Sequence, residues 1–210
     1  MNVQIGTYGW QNDAWLSTFY PNDLPEDWRL DFFSNIYRVV LVPQVEWQAW
    51  SKETLLDIVE CVDHEFGIYL AIQVENEDAL ENVQLLDQLN RILSVLGTHV
   101  LGFVIWSEVV FTQLKFLQRP VTLVSTQYYL SGWRWRSNRF WVSGNPLGWV
   151  DLLPEDGKVQ AELLRSFMGS LAKIEKKQTF ISVLPFIVGG EKINMEHVAN
   201  LKTIGELLGY

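Results

Sequence analysis

Three carboxylates in this sequence stand beside aromatic residues where an apolar run ends: Glu46 before Trp47, Glu75 after residues 67 to 74, and Glu108 after Trp106 and Ser107. Flat aromatic faces with nearby carboxylates suit a sugar or polyol, and two carboxylates flanking a bond are the minimum for acid/base hydrolysis. The same residue types also serve without chemistry. Glu46 and Glu108 are favoured at helix N-termini by the dipole, and Glu75 suits a surface turn. A second constellation is WRWRSNRFW at 133 to 141, where Arg134, Arg136 and Arg139 alternate with Trp133, Trp135 and Trp141. That is the chemistry of base stacking with phosphate pairing, or of anion binding, and it equally describes a strand with one packed and one wet face. A third is IGTYGWQNDAWLSTFYP at 5 to 21, dense in glycine and aromatics. It fits neither GxGxxG nor GxxxxGK[ST], so a tight turn after a strand describes it better than a phosphate cradle.

Other chemistries are poorly supplied. His64 ends a predicted helix, His99 precedes a strand and His197 lies on the last helix. None falls at the C-terminal end of a strand, so neither a metal site nor Ser–His or Cys–His machinery is expected. Cys61, the single cysteine, sits in the periodic LLDIVECVD and reads as an inert core thiol. No cofactor motif is present, and no cofactor is expected. Sixteen basic against 25 acidic residues give a net charge of -9, which counts against nucleic acid and anionic lipid except through a local patch such as 133 to 141. Apolar runs such as VLPFIV at 183 to 188 fall short of the roughly 20 residues of a membrane span, and MNVQIGTYGW has no basic segment leading into an apolar one. The expected protein is cytoplasmic, with a small-molecule ligand and no membrane partner.

The elements that must position these residues follow from pattern. Apolar or β-branched runs recur at 3 to 7, 38 to 42, 67 to 74, 100 to 105, 120 to 125, 139 to 143 and 179 to 185, mostly followed by helical periodicity. The spacing predicts a helix over about 78 to 96, capped by Asn76 or Asp78, striped by Leu80, Val83, Leu86, Leu89, Leu93 and Leu96, and stopped by Gly97. Similar stripes run through Val159, Leu163, Phe167 and Leu171 and through Met195, Val198, Leu201, Ile204 and Leu208. Pro25 with Glu26 and Asp27 marks an earlier helix start. KIEKK at 173 to 177 reads as a solvated face. At 48% hydrophobic residues and without a linker, residues 1–210 read as a single α/β domain with one parallel sheet, open or closed into a barrel. The segment TQYYLSGWRWRSN is too short for a crossover helix, so a βα unit is shortened or missing around 127 to 138.

The spacing of GTYGW, Trp15, FYP at 19 to 21 and then LPEDW resembles the opening of the YecE-like family (domain of unknown function 72), TIM-type barrels without an assigned role. GGEKINMEHVANLKTIGELLG resembles the family's last strand-to-helix passage. The resemblance implies a TIM-like (β/α) barrel in which the ends of consecutive strands meet, bringing Glu46, Glu75 and Glu108 beside Tyr8 and Trp10. The departures matter as much. Leu41 and Pro43 stand where the family has a glutamate and an asparagine, Ser107 stands near its glutamine, and VTLVSTQYY and Trp141-Val142-Ser143-Gly144 lack its arginines and histidines. The implied function is a non-catalytic ligand-binding or interaction module, with Tyr8, Trp10, Trp47, Trp106 and Ser107 toward the ligand and Trp15, Phe19 and Tyr20 packing the following loop. Alternatives are a carboxylate-dependent enzyme acting on a small sugar or polyol through Glu46, Glu75 or Glu108, and nucleic-acid or anion binding through Arg134, Arg136 and Arg139.

Overall fold

The structure is a computed structural model that describes residues 2–75, 77–172 and 183–210. Its strands are β1 (Asn2–Tyr8), β2 (Val39–Val42), β3 (Gly67–Gln73), β4 (Val100–Trp106), β5 (Lys115–Phe116), β6 (Arg119–Ser125), β7 (Arg134–Ser137), β8 (Phe140–Gly144), β9 (Gly148–Val150) and β10 (Val183–Val188). The helices are α1 (Arg29–Ile36), α2 (Gln44–Gln48), α3 (Lys52–Cys61), α4 (Val83–Leu96), α5 (Gly157–Leu171) and α6 (Met195–Leu207).

The strands form one sheet in the order β7-β8-β6-β4-β3-β2-β1-β10-β9, with β5 paired to β6 alone. From β6 through β1 to β9 every pairing is parallel, and β1 is held between β2 and β10 in a register that sets Asn2 opposite Val183 and Thr7 opposite Val188. The two ends, β7 and β9, come side by side, so the α/β sheet is nearly closed and barrel-like. An ion pair spans the seam: the Arg139 Nε and guanidinium nitrogen Nη2 reach Asp151 Oδ2 at 3.1 and 3.0 Å.

One expectation is corrected here. The run 139 to 143 is not a parallel strand: β8 runs antiparallel to β6, with Ser125 opposite Trp141, and β7 is antiparallel to β8. Residues 126–133 cannot carry the crossover that parallel neighbours need, so the shortened unit is a β-hairpin. Its inward residues Trp135, Ser137 and Val142 are buried, while Arg134 and Arg136 are exposed. The last run begins later than expected, at Val183. Residues 179–182, KIEKK and Asn76 lie outside the described residues.

Side-chain caps and buried apolar residues coincide in α4, α5 and α6, whereas α1 and α2 begin without a side-chain cap. Asn82, not Asp78, caps α4, its Oδ1 accepting from the Leu85 N–H at 3.1 Å, and residues 77–81 make a 3-10 turn instead. The stripe is accordingly Leu85, Leu89, Ile92 and Leu96, with Val83 exposed. Asp156 and Asn194 cap α5 and α6 in the same way. No helix lies between β4 and β6 or between β6 and β9, and there Phe111, Phe116 and Leu130 are buried from loops or the short β5.

The opening segment has a structural answer. A Cβ on Gly6 would lie 2.1 Å from the Val39 carbonyl oxygen, so glycine permits β1 to approach β2. Gly9 turns the chain at φ +77° while its N–H bonds Leu41 O at 2.8 Å. The loop that follows is held by its own aromatics: the Trp15 indole N–H donates to Ile193 O at 3.0 Å, the Tyr20 hydroxyl donates to Trp10 O at 2.5 Å, and Phe19 packs edge-on against Phe32. Trp15 is 2% exposed, and Trp15→Ala should cost about 3–5 kcal/mol of stability. Tyr20→Phe should cost about 1 kcal/mol, the worth of its hydrogen bond. Urea denaturation of the two variants measures both.

Candidate functional site

The β1–α1 loop, the start of α1, and α2 with α3 enclose a groove of about 950 Å³. Its wall contains the carboxylates of Glu26, Asp27, Asp31, Glu46, Asp57 and Glu60 and the indoles of Trp10, Trp28 and Trp50, and it contains no lysine or arginine. Trp10 is buried against Trp50, ring centroids 6.2 Å apart, whereas Trp28 is 64% exposed. Trp10 is part of this groove's wall, whereas Tyr8, expected beside it, is not.

Glu46 is the unusual member. It lies on α2, directly after the turn at Pro43, and Gly9 leaves room for it: a Cβ there would stand 3.0 Å from Glu46 Oε1. Its other oxygen, Oε2, is buried and has no hydrogen-bond partner. Burial pushes its pKa up to about 7. Nearby phenols shift with it: Tyr8 is raised by burial and then by the Glu46 charge, and Tyr20 is raised by burial, with Arg29 and Glu46 pulling in opposite directions. Cys61 is half-buried, packs against the edge of the core and also lines the groove. Burial and the carboxylates of Asp31, Asp57 and Glu60 raise its pKa, so it stays a thiol.

The other two carboxylates stand in different settings. Glu75 is exposed just beyond β3. Glu108 accepts from the Thr126 N–H at 2.9 Å, the Thr126 hydroxyl at 2.8 Å and the Ser125 hydroxyl at 3.1 Å. Burial would raise its pKa, but those hydrogen bonds outweigh it and hold the carboxyl below its ordinary range. Glu108 thereby ties the loop after β4 to the end of β6. Ser107 belongs to the same junction, its N–H donating to Val124 O at 3.3 Å. Trp47 is fully buried, and its indole N–H donates to Ala71 O at 2.8 Å.

Tyr8 and Trp106 do meet, at the C-terminal ends of β1 and β4, with centroids 6.0 Å apart. A third ring completes the cluster: Trp149 on β9 stands 5.5 Å from Tyr8 and 5.1 Å from Trp106, edge-on to both. The Trp149 Nε1 is buried without a partner. Periodicity does not single out Trp149, because its strand spans only Gly148–Val150, too short to show alternation. On the hairpin, Trp133 and Trp135 donate to Ser170 and Ser166 of α5, while Arg134 and Arg136 stay outside. Among the described residues no group of three or more His, Cys, Asp or Glu could hold a metal ion.

The raised pKa of Glu46 has a sign. Between pH about 4.5, where a free glutamate titrates, and about 7, the folded protein holds a proton that the unfolded chain has lost. Stability therefore falls as pH rises through this window. Glu46→Gln should be more stable than the parent by about 1–3 kcal/mol at pH 8, and the gain should vanish below pH about 4.5. Thermal denaturation across pH reads both.

No family model and no curated protein matches the sequence. Among solved structures, a DUF72 family protein from Enterococcus faecalis V583 is similar in two crystal structures, one at 10% identity and a TM-score of 0.59 over 97% of this chain and 95% of that chain, the other at 9% and 0.53 over 100% and 98%. A DUF72 family protein from Thermotoga maritima superposes at a TM-score of 0.49 with 10% identity, over 100% of both chains. The structural neighbours are thus DUF72 family proteins, and what this chain shares with the Enterococcus protein is its fold, the fold of the family that its glycine and aromatic opening resembles.

Proposed function

We propose that residues 1–210 form one DUF72-type domain on a TIM-like barrel whose sixth βα unit is a hairpin, and that it serves as a non-catalytic binding module for a cationic ligand with an apolar stem. The observation that carries this reading is the buried, unpartnered Oε2 of Glu46 in a groove lined by six carboxylates and no base. Like charges gathered in a concave wall raise the local concentration of cations, and a low-dielectric wall strengthens the attraction. Trp10, Trp28 and Trp50 supply indole surface for an ammonium and its methylene stem. A bound cation favours the ionised form of Glu46, so binding should release a proton. The hydrolase reading is less well served: Glu108 has its oxygens occupied by Ser125 and Thr126 and a lowered pKa, which suits structure better than general acid catalysis.

Calorimetry with the linear triamine spermidine and with sorbitol tests the reading. Spermidine should bind with proton release at pH 7, more tightly at pH 8 than at pH 6. Glu46→Gln should weaken it about tenfold, or about 1.4 kcal/mol, and abolish the proton release. Trp28→Ala should weaken it less, by about 1 kcal/mol or below, as an exposed cation–π contact does. Sorbitol binding without spermidine binding would instead favour the polyol enzyme.

A further inference from the structure

The β7–β8 hairpin carries a second charged surface that the groove does not use. On its outward face Arg134 lies over the Tyr129 ring at 4.3 Å and the Trp141 ring at 5.7 Å, and Arg136 lies over Trp141 at 4.9 Å. Tyr129 and Trp141 are themselves 5.5 Å apart, so the four side chains form one stack. Both arginines are exposed, and among the described residues neither is in an ion pair, whereas Arg139 is bound to Asp151.

We propose that Arg134 and Arg136 form a docking site for an extended acidic segment of a partner protein, with carboxylates at alternate residues. Charge complementarity is the first argument: two uncompensated guanidiniums stand together in a chain of net charge -9. Geometry is the second. Residues i and i+2 of a strand share a face about 7 Å apart, the spacing at which an extended peptide presents alternate side chains. The rings supply a third argument, because a guanidinium held over an aromatic face can keep its N–H edge free for bidentate pairing with a carboxylate. The same stack competes with single-stranded nucleic acid, because a base stacking on the side of Trp141 or Tyr129 that faces the arginines would have to displace a guanidinium. The arrangement follows from the hairpin itself, since Trp133 and Trp135 take the inner side against α5 and leave the arginines to solvent.

Fluorescence anisotropy of a labelled peptide with glutamate at alternate positions, titrated with the whole protein at low salt, tests the proposal. Binding should exceed that of a peptide of the same composition with its glutamates contiguous, and should exceed that of a single-stranded oligothymidylate of equal charge. The double variant Arg134→Lys/Arg136→Lys keeps the charge but loses the planar fork, and should lose about tenfold in affinity. Tyr129→Ala, which removes a 48% exposed ring, should lose affinity without a change in melting temperature. Equal binding by the lysine variant, tighter binding of the oligonucleotide, or no peptide binding at low salt would each overturn the proposal. Glu46→Gln should leave peptide binding unchanged, which separates this surface from the groove.

Discussion

The pairing of the first strand with the last is the constraint on which the rest depends. Asn2 to Thr7 lie in register with Val183 to Val188, while the end of the same strand pairs with Val40 and Leu41. Contacts so distant in sequence are entropically costly to form, and they are rewarded only when the whole sheet assembles. Once made, they fix where β1 ends. Tyr8 is then held against Trp106 and Trp149 inside the ring, and the Thr7 hydroxyl donating to Gly9 O at 2.7 Å helps steer the chain outward. Trp10 leaves the ring on this path and reaches Trp50, so the closing of the sheet also builds one wall of the groove.

The opposite side of the ring obeys a different rule. Without a crossover helix after β4 or β6, the sheet reverses direction through β8 and β7 and is covered by loops and by the hairpin's own tryptophans. Two indole N–H groups anchored on α5 fix the hairpin's inner face, and strand alternation then leaves Arg134 and Arg136 no place except the outer one. The shortened unit thus joins closure and an exposed cationic surface in a single element.

Electrostatics divides the molecule in a similar way. Arg29, near the groove, is buried but engaged elsewhere, 2.9 Å from Asp13 and over the Tyr20 ring at 5.8 Å. No base in the groove lining offsets its carboxylates. The exposed ones are screened by water and salt. Glu46 is not, and it resolves the conflict by retaining a proton near neutrality.

The sequence by itself determined the α/β rhythm, the place of most strands, the trimmed unit near 127 to 138 and the aromatic packing of the opening loop, because these depend on periodicity and on residues close in the chain. It also separated the faces of WRWRS, since alternation is local. Only tertiary structure decided the direction of β8, the entry of Trp149 into the cluster with Tyr8 and Trp106, and the different fates of Glu46 and Glu108. Asp31 on α1 and Asp57 and Glu60 on α3 are each exposed. They become one acidic wall only because α1 and α3 pack side by side, and a period specifies which face a helix buries, not which neighbour it meets.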